Sequence, residues 1–212
     1  MKNKIKLRLD KYLGFDSNLL FECGDAIIFG GAIRDSIADM DIQDIDILCG
    51  PKTLYKLDEL LRHLGYIHHH EFAKIDLTKL YSNLHVINEP QTYIKGRQKI
   101  DIIRPSISSA IKNNKEYLDN IYHLIRNVDL SCCAVSYDGK TVSESYKNAI
   151  IHCEAKIFRE VPNALMNNTR LTSREYKLME RGWQFIKSDN EEIAILREYK
   201  LKKFFNGQTI EY

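Results

Sequence analysis

Two glycines and two aspartates, a short interval apart, carry the chemistry this chain could do. Residues 27–48 read IIFGGAIRDSIADMDIQDIDIL. Ile27, Ile28 and Phe29 run straight into Gly30-Gly31, and Asp44 and Asp46 sit inside an Ile-rich run. An apolar run, Gly-Gly, a helix-like interval and Asp-x-Asp give the order strand, tight turn, helix, strand. Glycine in the turn lets backbone approach a ligand that a Cβ would obstruct. The N–H groups of the turn and of the helix start suit an anion such as phosphate. Residues two apart on a strand point to the same side, so Asp44 and Asp46 project together while Ile45 and Ile47 face the opposite layer. Neighbouring carboxylates repel each other unless they share a cation. A hard, oxygen-preferring cation, chiefly Mg²⁺, meets that need. A phosphate cradle beside a carboxylate pair implies metal-assisted phosphoryl chemistry on a nucleotide.

The stretch GGAIRDSIADMDIQDIDI resembles the signature of the template-independent nucleotidyltransferases, specifically the bacterial-type CCA-adding enzymes and poly(A) polymerases. Their pattern is Gly-Gly-x-Val-Arg-Asp, a Leu-rich helical turn, then Asp-x-Asp, and the register holds without a gap from Gly30 to Ile47. One departure is Asp39-Met40-Asp41, where that family carries Gly and often Arg-Pro. The resemblance implies a third carboxylate on a neighbouring strand, and Asp101 in KIDII (99–103) is the matching residue. Asp44, Asp46 and Asp101 are thereby expected to hold two Mg²⁺ (or Mn²⁺) ions, with Asp101 near the attacking hydroxyl.

A second stretch, RNVDLSCCAVSY, resembles the family's Arg-Arg-Asp-Phe-Thr-Ile-Asn-Ala-Leu-Ala-Tyr. Arg126, Asp129, Leu130, Ser131, Ala134, Val135 and Tyr137 match, whereas Asn127-Val128 replaces the second Arg and Cys132-Cys133 replaces Ile-Asn. The family's Asn contacts incoming nucleotide. Asp129 is expected either on the ribose or triphosphate side of the site or as a helix cap.

The elements that must position these residues follow from periodicity. The interval 32–39 reads as the helix after the turn, with Arg34 and Asp35 in its first turn. Arg34 can reach phosphate or sugar, and Asp35 is also favoured there by the helix dipole. Leu54, Leu57, Leu60, Leu61 and Leu64 are spaced for a helix over 52–64 that Gly65 stops. A short helix is expected within 16–25, strands at 26–29, 44–49, 81–89 and 99–103, and a helix over 107–125. Asp138-Gly139 marks a turn. The start, MKNKIKLRLD, alternates Lys with Ile or Leu and reads as a strand or amphipathic turn. His68-His69-His70 reads as solvated strand or loop, because alternate residues on a strand face opposite sides.

The last third is helical in character. Arg170, Arg174, Lys177 and Arg181 are spaced to share one helix face within 163–186, although Thr172 and Ser173 could interrupt it. Such a stripe is commonly a solvated face, but the resemblance implies that Arg170 and Arg174 turn toward triphosphate or RNA phosphate. Gly30, Gly31, Arg34, Asp35, Asp129, Arg170 and Arg174 are thus the candidate nucleotide-binding residues. A further amphipathic helix with a basic end is expected over 189–205.

The expected fold class is α/β (α+β): a mixed β-sheet with flanking helices as a catalytic head over 1–143, then a small helical, neck-like part over 144–212. Of 212 residues, 44% are hydrophobic and 28% charged, and the net charge of +2 leaves no global basic field, so any nucleic-acid site must be a local patch. No apolar stretch has transmembrane length, and no membrane partner is expected. Five cysteines without metal-site spacing read as buried, reduced thiols in a cytoplasmic protein. Expected partners are an NTP, ATP or CTP, and an RNA acceptor. The resemblance does not reach the long helical body and tail with which tRNA-end-adding enzymes measure tRNA, so strict CCA addition is not expected. The competing readings are a small stand-alone nucleotidyltransferase that modifies a protein or small molecule, and a non-catalytic nucleotide-binding module.

Overall fold

The computed structural model describes residues 1–69, 91–103, 125, 128–161 and 168–205, with the backbone alone for 168–172. The strand expected at 81–89, the helix over 107–125 apart from Ile125, His70 and Arg126 lie outside the described residues.

The chain opens with helix α1 (Lys2–Leu13), not with a strand. Read in pairs, KIKLRL alternates; read in fours, Ile5, Leu9 and Leu13 form one apolar line, and all three are fully buried while Leu7 stays exposed. Burial of such a side chain contributes about 1.5–3 kcal/mol, so packing selects the period of four. Helix α2 (Asn18–Glu22) leads to β1 (Ile27–Phe29), α3 (Gly31–Ile37) and β2 (Ile45–Leu48). Then come α4 (Pro51–His63), β3 (Ile67–His69), β4 (Gln91–Lys95) and β5 (Gln98–Ile103). A 3-10 turn at Ser131–Cys133 precedes β6 (Val135–Tyr137) and β7 (Val142–Glu144), which pair as a hairpin about the expected Asp138-Gly139 turn. The remainder is α5 (Ala149–Ala155), β8 (Ile157–Phe158), α6 (Asn168–Glu180), β9 (Gln184–Phe185) and α7 (Asp189–Phe205). Helix α6 runs through Thr172 and Ser173 without a break.

Among the described residues one sheet has the order β3-β4-β5-β2-β1-β6-β7. Every pairing in it is antiparallel except β2 with β5, which is parallel. One side of the sheet is apolar: Ile28, Ile45, Ile47, Tyr93, Ile100 and Ile102 are buried and share a core with Ile5, Leu9 and Leu13 of α1 and Ile33 and Ile37 of α3. That core continues past residue 143, taking in Ala149, Cys153, Phe158, Leu178 and Trp183. A smaller cluster joins Ile157, Ile186 and Leu196.

Polar contacts tie the later segment to the earlier one. Ser131 Oγ donates to His152 Nδ1 at 2.8 Å and accepts the Arg159 N–H at 3.1 Å. The Glu192 carboxylate can only accept, so His152 Nε2 carries the hydrogen and donates to Glu192 Oε1 at 3.1 Å, and burial lowers the His152 pKa, which leaves Nδ1 as the acceptor of the Ser131 hydroxyl. Ser131 and His152 are fully buried, so this serine–histidine–glutamate chain is a latch between the 3-10 turn, α5 and α7. Helix α7 buries Leu196 but leaves Ile193, Leu201, Phe204 and Phe205 exposed. Its apolar residues are thus not confined to the inward side as an amphipathic helix would have them.

Candidate active site

The acids gather because of strand register. Asp46 on β2 lies opposite Phe29 on β1 and beside Asp101 on β5, and Asp101 lies opposite Thr92 on β4. Residues in register share a side of a sheet, so Asp46, Asp101 and Thr92 project together, away from the isoleucine layer. Asp44 and Lys99, each two residues before an acid, join the same side. Thr92 Oγ1 donates to Asp101 Oδ1 at 2.6 Å, and Lys99 Nζ donates to Asp101 Oδ2 at 2.5 Å while standing 3.9 Å from Asp44 Oδ2. Helix α1 braces the arrangement. The Tyr12 hydroxyl accepts the Lys99 N–H at 2.8 Å and donates to the Gln43 carbonyl at 3.0 Å, joining the segments that lead into both acidic strands.

The electrostatics are those of a site short of positive charge. Burial, then the charges of Asp44 and Asp101, raises the Asp46 carboxyl from 3.8 to about 7. Burial and Asp101 also raise Asp44, against the pull of Lys99. Burial works against the Lys99 ammonium, but its hydrogen bond to Asp101 and the neighbouring carboxylates outweigh that and raise its pKa.

The Gly30-Gly31 turn sits at the end of β1. Gly30 has φ 68° and ψ −126°, a conformation open to glycine, and its N–H donates to the Val135 carbonyl at 3.0 Å. Among the described residues a Cβ built on Gly30 would meet nothing within 4 Å. Beneath the turn, the Arg34 Nη2 lies 3.7 Å from where a Cβ of Gly31 would stand.

The remaining candidates form an interlocked cluster between the sheet and α6. Arg34 is 8% exposed; its Nε donates to Asp35 Oδ1 at 2.8 Å, its Nη1 to Cys133 Sγ at 3.3 Å, and its guanidinium lies 5.5 Å from the Trp183 ring centre. Asp35 is 1% exposed and also accepts from Arg181 Nη2 at 3.0 Å. The helix starts at Gly31, so Asp35 lies past its first turn, where the expected dipole contribution does not apply. Asp129 is fully buried, and both its oxygens accept from Arg174 Nη1, at 2.7 and 2.6 Å. It caps no helix, since Leu130 is the residue before the 3-10 turn. Arg174 Nη2 also approaches Cys133 Sγ at 3.7 Å. The Cys132 hydrogen bond, then Arg34 and Arg174, lowers the Cys133 thiol pKa against burial. Arg174, on α6, reaches Asp129, and Arg181, one residue past the end of α6 at Glu180, reaches Asp35 and the Asp41 carbonyl. The expected four-residue face thus does not hold as one helix face: Arg181 lies in the turn after the helix and Lys177 is exposed. Arg170 lies near the start of α6, and its side chain is outside the described residues.

No protein-family model matches the chain, and no curated protein matches it. Solved structures do match. A CCA-adding enzyme in complex with CTP superposes with TM-score 0.55 at 15% identity, over 94% of this chain and 47% of that one. A CCA-adding enzyme with ATP gives 0.53 at 15% identity, over 95% and 43%. The Thermotoga maritima CCA-adding enzyme complexed with tRNA gives 0.51 at 14% identity, over 94% and 47%. The chain shares the fold of CCA-adding enzymes. It spans under half the length of these three chains.

In this fold the strand register sets Asp46 beside Asp101, with Asp44 two residues before Asp46. Sequence reasoning missed Lys99 and Thr92. The signal for Lys99 was present, because a Lys-x-Asp step on a strand puts both side chains on one side. Thr92 had no such signal, since its place depends on the β4–β5 register. Cys133 stands where the resembling family has a nucleotide-contacting Asn, but here it is buried and engages two arginines.

Among the described residues no group of three His, Cys, Asp or Glu side chains could hold a metal ion as it stands. His68 and His69 accordingly make no such site, and His68 stacks 5.0 Å from Tyr93. Asp44 and Asp46 still fit Mg²⁺, which is commonly held by one or two carboxylates together with substrate phosphates. The raised Asp46 pKa shows the same deficit of cationic charge.

Proposed function

We propose that the chain is a metal-dependent nucleotidyltransferase that moves a nucleoside monophosphate from an NTP, ATP or CTP, to an acceptor hydroxyl, with release of pyrophosphate. The acceptor is an RNA 3′ end. The observation that carries this reading is the register of β2 beside β5, which brings Asp46 and Asp101 side by side with Asp44 next to them.

In this reading Asp44 and Asp46 hold Mg²⁺ or Mn²⁺, with Asp101 completing the set for a second ion. Bound there, such ions neutralise phosphate charge and lower the pKa of the acceptor hydroxyl. Asp101 stands on the acceptor side, where its carboxylate orients the hydroxyl and helps take its proton. The hydroxyl oxygen then attacks the α-phosphorus as the bond to pyrophosphate breaks. Gly30, whose own N–H is held by the Val135 carbonyl, leaves the turn free of a Cβ, and Gly31 at the start of α3 offers its backbone N–H to the outer phosphates, with the Arg34 guanidinium nearby adding positive charge. Asp35 fixes Arg34, and Asp129 fixes Arg174, so both arginines are held in place for the triphosphate. Arg170, four residues before Arg174 in sequence, is proposed as a further phosphate contact on its spacing alone. CCA-adding enzymes have been captured with CTP, ATP and tRNA, which supports these substrate classes here.

The test is transfer of label from each α-labelled NTP, with total RNA as acceptor, with and without EDTA. Separating RNA, protein and small-molecule fractions identifies the acceptor. EDTA-sensitive label in RNA is expected. Label in protein or small molecules would replace the RNA assignment, and NTP binding without turnover in Mg²⁺ or Mn²⁺ would overturn the enzyme reading.

A further inference from the structure

Lys99 is placed to compete for the site that the acids would offer to metal. It shares their side of β5, its ammonium sits 2.5 Å from Asp101 Oδ2, and Asp44 Oδ2 is 3.9 Å away. With Thr92 on the other oxygen, Asp101 has a partner on each of its two oxygens. The Lys99 backbone is pinned through its N–H to Tyr12, so the strand position is fixed while the four-carbon side chain can swing.

We propose that Lys99 is an internal counter-cation for Asp44 and Asp101, and that a divalent ion binds at Asp101 by displacing its ammonium. The proposal rests on the metal-dependent reading above and adds a positioning residue to it. Without an ion, Lys99 keeps the carboxylates from repelling one another. When an ion enters, the ammonium leaves Asp101 and becomes available to other anions at the mouth of the site. The exchange involves no covalent step.

Mn²⁺ binding to the full chain, followed by electron paramagnetic resonance without nucleotide, tests this directly. Lys99→Met removes the competing charge and keeps a similar stem; Lys99→Arg keeps the charge. Removing a unit charge at this range is expected to tighten Mn²⁺ binding about tenfold in Lys99→Met, with Lys99→Arg close to wild type. Thermal melting in EDTA is the second readout, where Lys99→Met is expected to melt lower than wild type and to recover on adding Mn²⁺. A Lys99→Met protein that folds only with Mn²⁺ would support the proposal equally. Unchanged or weaker Mn²⁺ binding in Lys99→Met would overturn it, as would a variant that stays unfolded with and without Mn²⁺. Wild-type transfer activity separates the two ideas. If wild type transfers nucleotide with metal while the Lys99 results are negative, only the counter-cation fails; if wild type neither transfers nucleotide nor binds Mn²⁺, the metal-dependent reading fails with it.

Discussion

Asp46 is the residue on which the acidic cluster is most dependent. Its carboxyl is raised to about 7 from 3.8 by burial and by two neighbouring acids. In the ion-free protein the folded state therefore holds a proton that the unfolded chain releases. Stability contributed by that proton is complete below about pH 4 and is lost as pH rises toward about 7. Asp46→Asn is expected to remove this loss. Melting in EDTA at pH 5 and pH 8 should show the variant gaining a few degrees over wild type at the higher pH only. With an ion available the direction of the effect on function reverses. Asp44→Ala or Asp46→Ala is expected to lower nucleotide transfer by about a thousandfold or more while circular dichroism stays native. Full metal-dependent transfer by either variant would exclude the proposed role. The aspartate pair was legible in the sequence because a period of two and a following strand decide it. Asp101 needed the family resemblance, since nothing local to KIDII says which strand it will lie beside.

Among the elements, α6 shows how far a stripe of charge can be read. The spacing of Arg170, Arg174, Lys177 and Arg181 implied one helix face, but the helix stops at Glu180 and Arg181 reaches inward from the turn beyond it. The partners Asp129 and Asp35 were not readable, because the loop before the 3-10 turn and α3 bring them in from far along the chain. Asp129 is fully buried, so Arg174→Ala leaves a carboxylate without its bidentate partner. A loss of about 2–5 kcal/mol is expected in urea unfolding. Adding Asp129→Asn to Arg174→Ala should recover a substantial part of that loss, and no recovery would show that the pair is not coupled. Helix α1 teaches the opposite lesson. Its alternating start suggested a strand or an amphipathic turn, and the decision lay with the more distant Leu9 and Leu13, which only a longer window joins to Ile5.

At the scale of the whole molecule, the core does not stop where composition suggested a change of character. Phe158, Leu178 and Trp183 complete the same apolar cluster as the sheet, and the Ser131–His152–Glu192 latch crosses the same region. A chain ended at residue 143 is expected to fail to fold, seen as collapsed amide dispersion in NMR, because Cys132, Cys133 and Ala134 would lose their cover. A well-folded fragment would show that the later segment is an appendage. The sequence showed the helical character of that segment, but not that its side chains finish the core, since burial there depends on contacts from far along the chain.

The single parallel neighbour pair in the main sheet, β2 with β5, has a consequence for how the protein is made. Hairpins can close as soon as both arms leave the ribosome, but these two strands are separated by α4, β3, β4 and everything between. A nascent chain thus carries Asp44 and Asp46 for some time before Asp101 arrives to stand beside them. In that interval the two carboxylates are still solvated, so their mutual strain begins only when β5 docks and brings Asp101 and Lys99 together with them.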